Sequence, residues 1–411
     1  MRLRLSFFCL LLLLAFIPAS AQTDTTADRI NAVENSLNPV VRLAGEPETA
    51  RMADRMAFHR VPGVSVAVID NGQIAWTQTW GVRDAASGAP VTTDTVFQVA
   101  SISKAVSASG IMTLVDSGAI ALDTDVNEYL RSWKVPATPQ TEAAPVTMAR
   151  LLSHTAGTTV HGFAGYDTSA ALPTLIEILN GEAPANSPEV IVATVPGRQF
   201  QYSGGGYEIA QLVAEEVTGE PFTAYMQAHV LDTIGMTHSQ YRTPKGDDIA
   251  LAHLLDGTPL ASGWHVYPED AAASLWTTAS DLALWALEIR SAYHGESAML
   301  SQEAARAMLT RHGSSQGLGP ALQEVIGDLA FYHGGANLGY RAYVVLLRES
   351  GDGVAILTNG EGGAALWEEI LSAVATVYDW PGWFEVRNQR VIAEIDLEPY
   401  AGTYHGLVDI T

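Results

Sequence analysis

The chain has 411 residues, 47% hydrophobic and only 16% charged, which is the composition of a folded globular protein with room for one large core or two modest ones. A formal charge of −23 with no basic run excludes a nucleic-acid-binding class and disfavours anionic membrane faces. The one cysteine, Cys9, leaves no disulfide to brace the fold, so the core alone must hold it.

In chain order, Arg2 and Arg4 precede an apolar run from Phe7 to Ile17, and Ala19-Ser20-Ala21 precedes Gln22. This is the pattern of an export signal removed after residue 21. The run is too short for a stable membrane span. Phe7-Phe8 before Cys9 is not a lipoprotein site. We therefore expect a periplasmic or secreted chain with no stable membrane span after signal cleavage. Residues 22–44 form a lead-in, with Ile30, Val33, Leu37 and Val41 at helical spacing. A second short helix is expected at about 48–59, stopped by Val61-Pro62-Gly63.

A hairpin follows. Val64, Val66 and Val68 alternate with smaller residues, Asp70-Asn71-Gly72 supplies the turn, and Ile74, Trp76 and Trp80 return. From about 101 to 325 the pattern is mostly helical with long loops. Residues 101–117 are apolar nearly all round, the mark of a buried helix. Further helices are expected at 148–153, 207–218, 279–289 and 303–310. Strand patterns return at 329–333, 340–348 and 354–358, and a helix at 364–378 closes the block. The expected fold is α+β: an antiparallel sheet flanked by helices and built from both ends of a domain at 45–380, with a mostly helical subdomain inserted. After Pro381-Gly382, short alternating stretches read as a linker and the start of a β-rich domain at 381–411, cut off at Thr411.

Three motifs carry chemistry. Ser101 opens the buried helix, where unpaired N–H groups and the helix dipole favour a developing oxyanion. Lys104 lies one turn on, on the same face. A lysine in small-residue, apolar surroundings is poised to accept a serine proton. The plain alternative is an N-cap serine with a surface lysine. Tyr202-Ser203-Gly204-Gly205-Gly206-Tyr207 precedes a helix. Its glycines admit a close neighbour, and a phenol beside a cation can relay protons. The plain alternative is a glycine-rich turn. His333-Gly334-Gly335 ends a strand whose glycines let a substrate lie along its edge, and one N–H there can join that of Ser101 in an oxyanion hole. The plain alternative is a β-bulge with a satisfied histidine.

The order of these motifs resembles the serine β-lactamase and penicillin-binding-protein superfamily, in particular the class C β-lactamase-like serine hydrolases. That group includes esterases, D-aminopeptidases and D-Ala-D-Ala carboxypeptidases. The likeness covers about residues 45–380. It extends to Val96-Phe97-Gln98-Val99-Ala100, to residues 151–157, to Pro196-Gly197, and to Leu275-Trp276-Thr277-Thr278 with Asp281-Leu282. The resemblance implies Ser101 as acylated nucleophile and Lys104 as its proton acceptor or tuner. It implies Tyr202 as general base and acid, and an oxyanion hole of the Ser101 and Ala336 N–H groups. It leaves open which of Lys104 and Tyr202 removes the first proton. It also implies substrate contacts at Gly204, His333, Gly334 and Gly335. Two letters depart from the family pattern. Gly204 stands where an asparagine is usual, and His333 where a lysine is usual. The first loses an amide grip, the second a fixed cation for a carboxylate. Both favour an ester, amide or unusual peptide as the small-molecule substrate over a β-lactam. The segment 397–404 looks like the start of a lipocalin-like barrel found in some relatives.

Competing readings are weaker. Gly313-Ser314-Ser315-Gln316-Gly317 spells G-x-S-x-G but follows a helix pattern, not a strand. The eleven histidines show neither H-E-x-x-H nor a ligand-spaced cluster, so no metal and no cofactor is called for. Within the resemblance, a true β-lactamase or D-Ala-D-Ala carboxypeptidase is the alternative, and a non-enzymatic penicillin sensor is a further reading, set against the presence of Ser101, Lys104 and Tyr202 together.

Overall fold

Asn71 (φ 51°) and Gly72 (φ 77°) both take the left-handed conformation that a two-residue hairpin loop of this hand requires. They turn strand β1 (Gly63–Asp70) back into β2 (Gln73–Asp84), with Asp70 opposite Gln73. The computed structural model describes residues 25–37, 41–43, 49–244, 246–313, 315–380 and 390–392. The signal read at 1–21 and most of the tail, including 397–404, lie outside these residues.

Five more strands complete the sheet: β3 (Ala89–Pro90), β4 (Ala321–Val325), β5 (Asp328–Asn337), β6 (Tyr340–Leu347) and β7 (Gly353–Thr358). Their order is β4-β5-β6-β7-β1-β2-β3, antiparallel throughout. The two ends of the domain therefore meet at β7 and β1, and residues 91–320 leave the sheet and return to it. This is the expected antiparallel α+β architecture.

Seven helices matter here: α1 (Thr26–Glu34), α2 (Met52–His59), α3 (Ile102–Asp116), α4 (Gly204–Thr218), α5 (Asp270–Ala273), α6 (Ala279–His294) and α7 (Gly363–Val377). Strand side chains alternate between two cores, as the two-residue period demands. Val64, Val66, Val68, Val354 and Ile356 face the side of α1, α2 and α7. Ala67, Ile69, Ala355 and Leu357 face α3 and α6. Both faces are covered, so β7 is buried along its whole length.

Several element bounds differ from expectation, each for a local reason. The lead-in helix stops at Glu34, because the Asn35 side chain donates to the Asn31 carbonyl at 2.8 Å and closes the last turn. Leu37 instead bridges to Ala50, and the strand Val41–Leu43 pairs in parallel with Arg390–Ile392. The second helix begins only at Met52. Helix α4 starts at Gly204 rather than at 207, because Ser203 caps it: its Oγ accepts the Gly206 N–H at 2.9 Å. Strand β5 runs four residues past His333, since β6 pairs with every residue out to Asn337. Strand β4 and the helix Leu175–Asn180 were not among the expected elements.

Candidate active site

Ala100 holds a left-handed backbone (φ 49°), unusual for a residue with a side chain. This sharp bend follows the short strand Phe97–Gln98, which pairs with Leu275–Thr277, and it sets Ser101 immediately before α3. The Ser101 side chain makes no capping bond. Its Oγ instead accepts a hydrogen bond from Lys104 Nζ at 3.1 Å. Lys104 is 1% exposed, and its other polar contact is the Ala272 carbonyl at 2.9 Å. Residues 102–112 are buried without exception, so this lysine reaches the serine through the interior.

Tyr202 closes on the same point. The Lys104 Nζ lies 5.1 Å from its ring centre. Three histidines flank the ring: His154 stacks on it at 4.2 Å, with His161 at 4.8 Å and His333 at 6.4 Å. His154 Nδ1 accepts the Ser203 N–H at 3.1 Å, which assigns the ring proton to Nε2. Burial first, and then the nearby Lys104, hold His154 well below its ordinary titration range. His333 Nδ1 donates to the Gly334 carbonyl at 2.7 Å. Burial, with Lys104 again second, lowers His333 to about 4. His333 is therefore neutral at pH 7 and supplies no fixed cation.

The edge of β5 completes the site. Strand β4 pairs with β5 only as far as Tyr332, so residues 333–336 leave one edge open. Asn337 and Tyr340 close the two-residue turn to β6. Hydrogen bonding alternates from that pair, which turns the Ala336 N–H away from β6 and toward the open edge. The Asn337 side chain donates to Gln98 Oε1 at 2.8 Å and to the Ala273 carbonyl at 3.2 Å. It thereby ties the strand end to the segments around Ser101 and Lys104. A Cβ on Gly335 would stand 2.0 Å from the Val99 carbonyl, so glycine is needed there for the strand to approach the serine turn. A Cβ on Gly334 would meet nothing closer than 3.7 Å.

These groups share one cavity of about 740 Å3, lined by Ser101, Lys104, Tyr202 and residues 333–336. Aromatic side chains contribute to its walls: Phe163, Phe200, Tyr332 and Trp367, with His161. The structure corrects one expected contact. Gly204 does not line the cavity; it lies buried in the first turn of α4, where a Cβ would stand 2.8 Å from the Phe163 ring. Phe163 thus occupies the side where an amide at 204 would reach. Gly335 lines the cavity, but its lack of a side chain serves the Val99 contact. Arg341 also lines it, with Nη1 donating to the Asn337 and Tyr340 carbonyls at 2.7 Å each and Nη2 3.8 Å from Glu361.

Sequence reasoning did not single out His154, His161, Phe163, Asn337 or the Ala272 carbonyl. His154 lies inside the segment 151–157 noted for its resemblance, which was the one available signal. Ser315 of the G-x-S-x-G stretch lies in a loop at the rim of the same cavity. A strand follows it and none precedes it, the reverse of a nucleophile elbow.

The family model for beta-lactamases matches residues 49–377. Penicillin-binding protein 4 of Amycolatopsis lactamdurans is 29% identical over 377 residues, covering 84% of this chain and 93% of that one. Protein flp of Staphylococcus aureus is 25% identical over 55% of this chain, which spans 45% of that protein. Among solved structures, the octameric penicillin-binding protein homologue from Pyrococcus abyssi superposes with a TM-score of 0.68 at 24% identity, over 81% of this chain and 77% of that one. The D-amino acid amidase of Ochrobactrum anthropi superposes with a TM-score of 0.64 at 19% identity, over 85% and 99%. EstCE1, a hydrolase with promiscuous acyltransferase activity, gives 0.66 at 20%, over 85% and 98%.

Proposed function

Because the chain belongs to the beta-lactamase family of serine hydrolases, we propose that it is an exported enzyme acting through a Ser101 acyl-enzyme on small neutral esters or amides. The observation that carries the reading is the Lys104 Nζ at 3.1 Å from Ser101 Oγ, in a buried position that opens on the cavity.

The geometry supports the following chemistry. The Ser101 hydroxyl proton passes to Lys104 or Tyr202 while Oγ attacks the substrate carbonyl carbon. The Ser101 N–H has no acceptor inside α3, because it lies at the helix start. With the Ala336 N–H it takes up the charge on the carbonyl oxygen. The proton then goes to the departing alcohol or amine, and water repeats the sequence to release the acid and restore Ser101. Tyr202, beside Lys104 and open to the cavity, is the group suited to carry protons to and from the leaving group.

The cavity walls support this substrate class. Aromatic side chains favour an apolar acyl or leaving group. Neutral His333 offers no ionic anchor for a carboxylate. Arg341 is occupied by its own carbonyls and by Glu361. A second reading, cleavage of a β-lactam or a peptide with a free carboxylate, rests on Arg341 lining the cavity. Export rests on the leader pattern of residues 1–21 alone.

The test is labelling with a fluorophosphonate, followed by a substrate panel. One adduct on the wild type, absent in Ser101→Ala, is expected. p-Nitrophenyl esters should show a higher kcat/KM than nitrocefin. An adduct that survives Ser101→Ala, or that maps to Ser315, ends the proposal. A preference for nitrocefin that Arg341→Ala abolishes transfers it to the second reading.

A further inference from the structure

Helix α4 begins two residues after Tyr202, and its second turn carries Glu208. Glu208 and Glu269 are both fully buried, and none of their four carboxyl oxygens has a hydrogen-bond partner. The Ala272 N–H near Glu208, and the N–H of Glu269 near its own carboxyl, do not reach hydrogen-bond geometry. The two acids sit where α4 meets the segment 269–273, which is α5 with the residue before it. Gln211, one turn beyond Glu208, accepts the Ala271 N–H through Oε1 at 2.9 Å and docks that segment. The same segment presents the Ala272 carbonyl to Lys104 Nζ. Glu208, within electrostatic reach of Lys104, and Glu269 beside it are therefore unpartnered carboxyls packed behind the candidate base.

Asp270 shows what an ionised acid looks like in this place. Arg242 binds it through Nε and Nη2, at 3.0 and 2.8 Å, and the Ser274 hydroxyl donates at 2.9 Å. Glu208 and Glu269 have no such donors. Lys104 does not supply one, since its polar contacts are a hydroxyl and a carbonyl. A buried carboxylate without a donor does not recover its desolvation, so the protonated form of Glu208 is favoured.

We propose that Glu208 and Glu269 are carboxylic acids, not carboxylates, in the resting protein, and that Glu208 serves Ser101 chemistry by denying Lys104 an anionic partner. Glu208 is a positioning residue that acts through Lys104, Glu269 acts through Glu208, and the proposal rests on Lys104 as a proton acceptor. Burial, then Glu269 and Asp270, raise Glu208 far above the usual carboxylate range, against a smaller opposing effect of Lys104. Burial raises Glu269 to about 8.

The consequence is an alkaline limb of unusual origin. As pH rises and the two acids lose protons, an anion appears beside Lys104, favours its ammonium form and slows attack by Ser101. Tyr202 faces Lys104 from the cavity side. Asp270 and Arg242 remain an ion pair with Glu215 nearby. Burial keeps Tyr166, Tyr207 and Tyr267 protonated. His154 and His333, facing Lys104 from the other side, are neutral.

Infrared spectroscopy of the full chain against pH reads the proposal directly, with fluorophosphonate labelling of Ser101 alongside. Wild type at neutral pH should show carboxylic C=O bands apart from the carboxylate bands. Glu208→Gln and Glu269→Gln should each remove one band, and the remainder should vanish at alkaline pH. Labelling of Glu208→Gln should match wild type near neutrality and lose the alkaline fall. A wild-type spectrum without carboxylic bands at neutral pH overturns the proposal, and needs no variant to fold. An alkaline fall that persists unchanged in Glu208→Gln overturns it too. Bands present without any labelling of Ser101 would instead bring down the hydrolase reading beneath it.

Discussion

Replacing Glu269 by glutamine should make the protein more stable relative to wild type as pH rises. Glu269 is buried without a hydrogen-bond partner, and burial raises it from an ordinary 4.5 to about 8 in the folded chain. Between those values the folded state keeps a proton that the unfolded state has released. Unfolding then releases a proton, so wild-type stability falls as pH rises, by at most about 1.4 kcal/mol per unit. From pH 5 to pH 7 the loss from this one group is about 2.5 kcal/mol. Glutamine does not titrate, and its own burial cost is the same at both values, so it cancels in the difference. The variant should therefore gain about 2.5 kcal/mol on wild type across that interval, or roughly 3 °C in Tm for a domain of this size. Urea denaturation of both proteins at pH 5, 6 and 7 measures it. A stability difference that stays constant with pH, or moves the other way, would refute the argument that this carboxyl is buried and protonated.

Three other outcomes follow from the same geometry. Gly335→Ala should abolish Ser101 labelling and cost several kcal/mol by circular dichroism melts, whereas Gly334→Ala should be near neutral, since one Cβ would stand 2.0 Å from a backbone carbonyl and the other no closer than 3.7 Å from a side chain. Gly204→Asn should destabilise the chain against the Phe163 ring, and Phe163→Ala in the same chain should restore melting behaviour; if the single variant melts like wild type, the packing argument fails. Acid should also unfold the protein through His333. Its folded value of about 4 lies below the ordinary 6.5, so the associated stability is complete above 6.5 and about 3 kcal/mol of it is lost as pH falls toward 4. His333→Gln should blunt that acid loss in pH-dependent urea titrations.

Much of this molecule was legible locally. The Asn71-Gly72 turn, the alternation of Val64, Val66 and Val68, and the all-round apolar pattern after Ser101 each reflect a constraint that acts within a few residues. Backbone conformation at a turn and the two- or 3.6-residue period of burial are properties of a short segment. The reach of Lys104 to Ser101 is also local, because residues three apart share a helix face. Boundaries were less legible, as at α4, where a cap at Ser203 set the start and three glycines masked it.

The sequence by itself thus determined the α+β class, the serine with a lysine one turn on, and the superfamily that their order resembles. Only the tertiary structure decided what each glycine is for. Gly204 gives way to Phe163 and Gly335 to Val99, partners 41 and 236 positions away in the chain. It also placed His154 against Tyr202 and left Glu208 and Glu269 buried without donors. Such facts depend on which distant segments pack together and on how much water that packing excludes. A carboxyl letter in a sequence is the same whether an arginine meets it, as at Asp270, or nothing does, as at Glu269. Its charge is set by the desolvation that folding imposes, and that is a property of the assembled core.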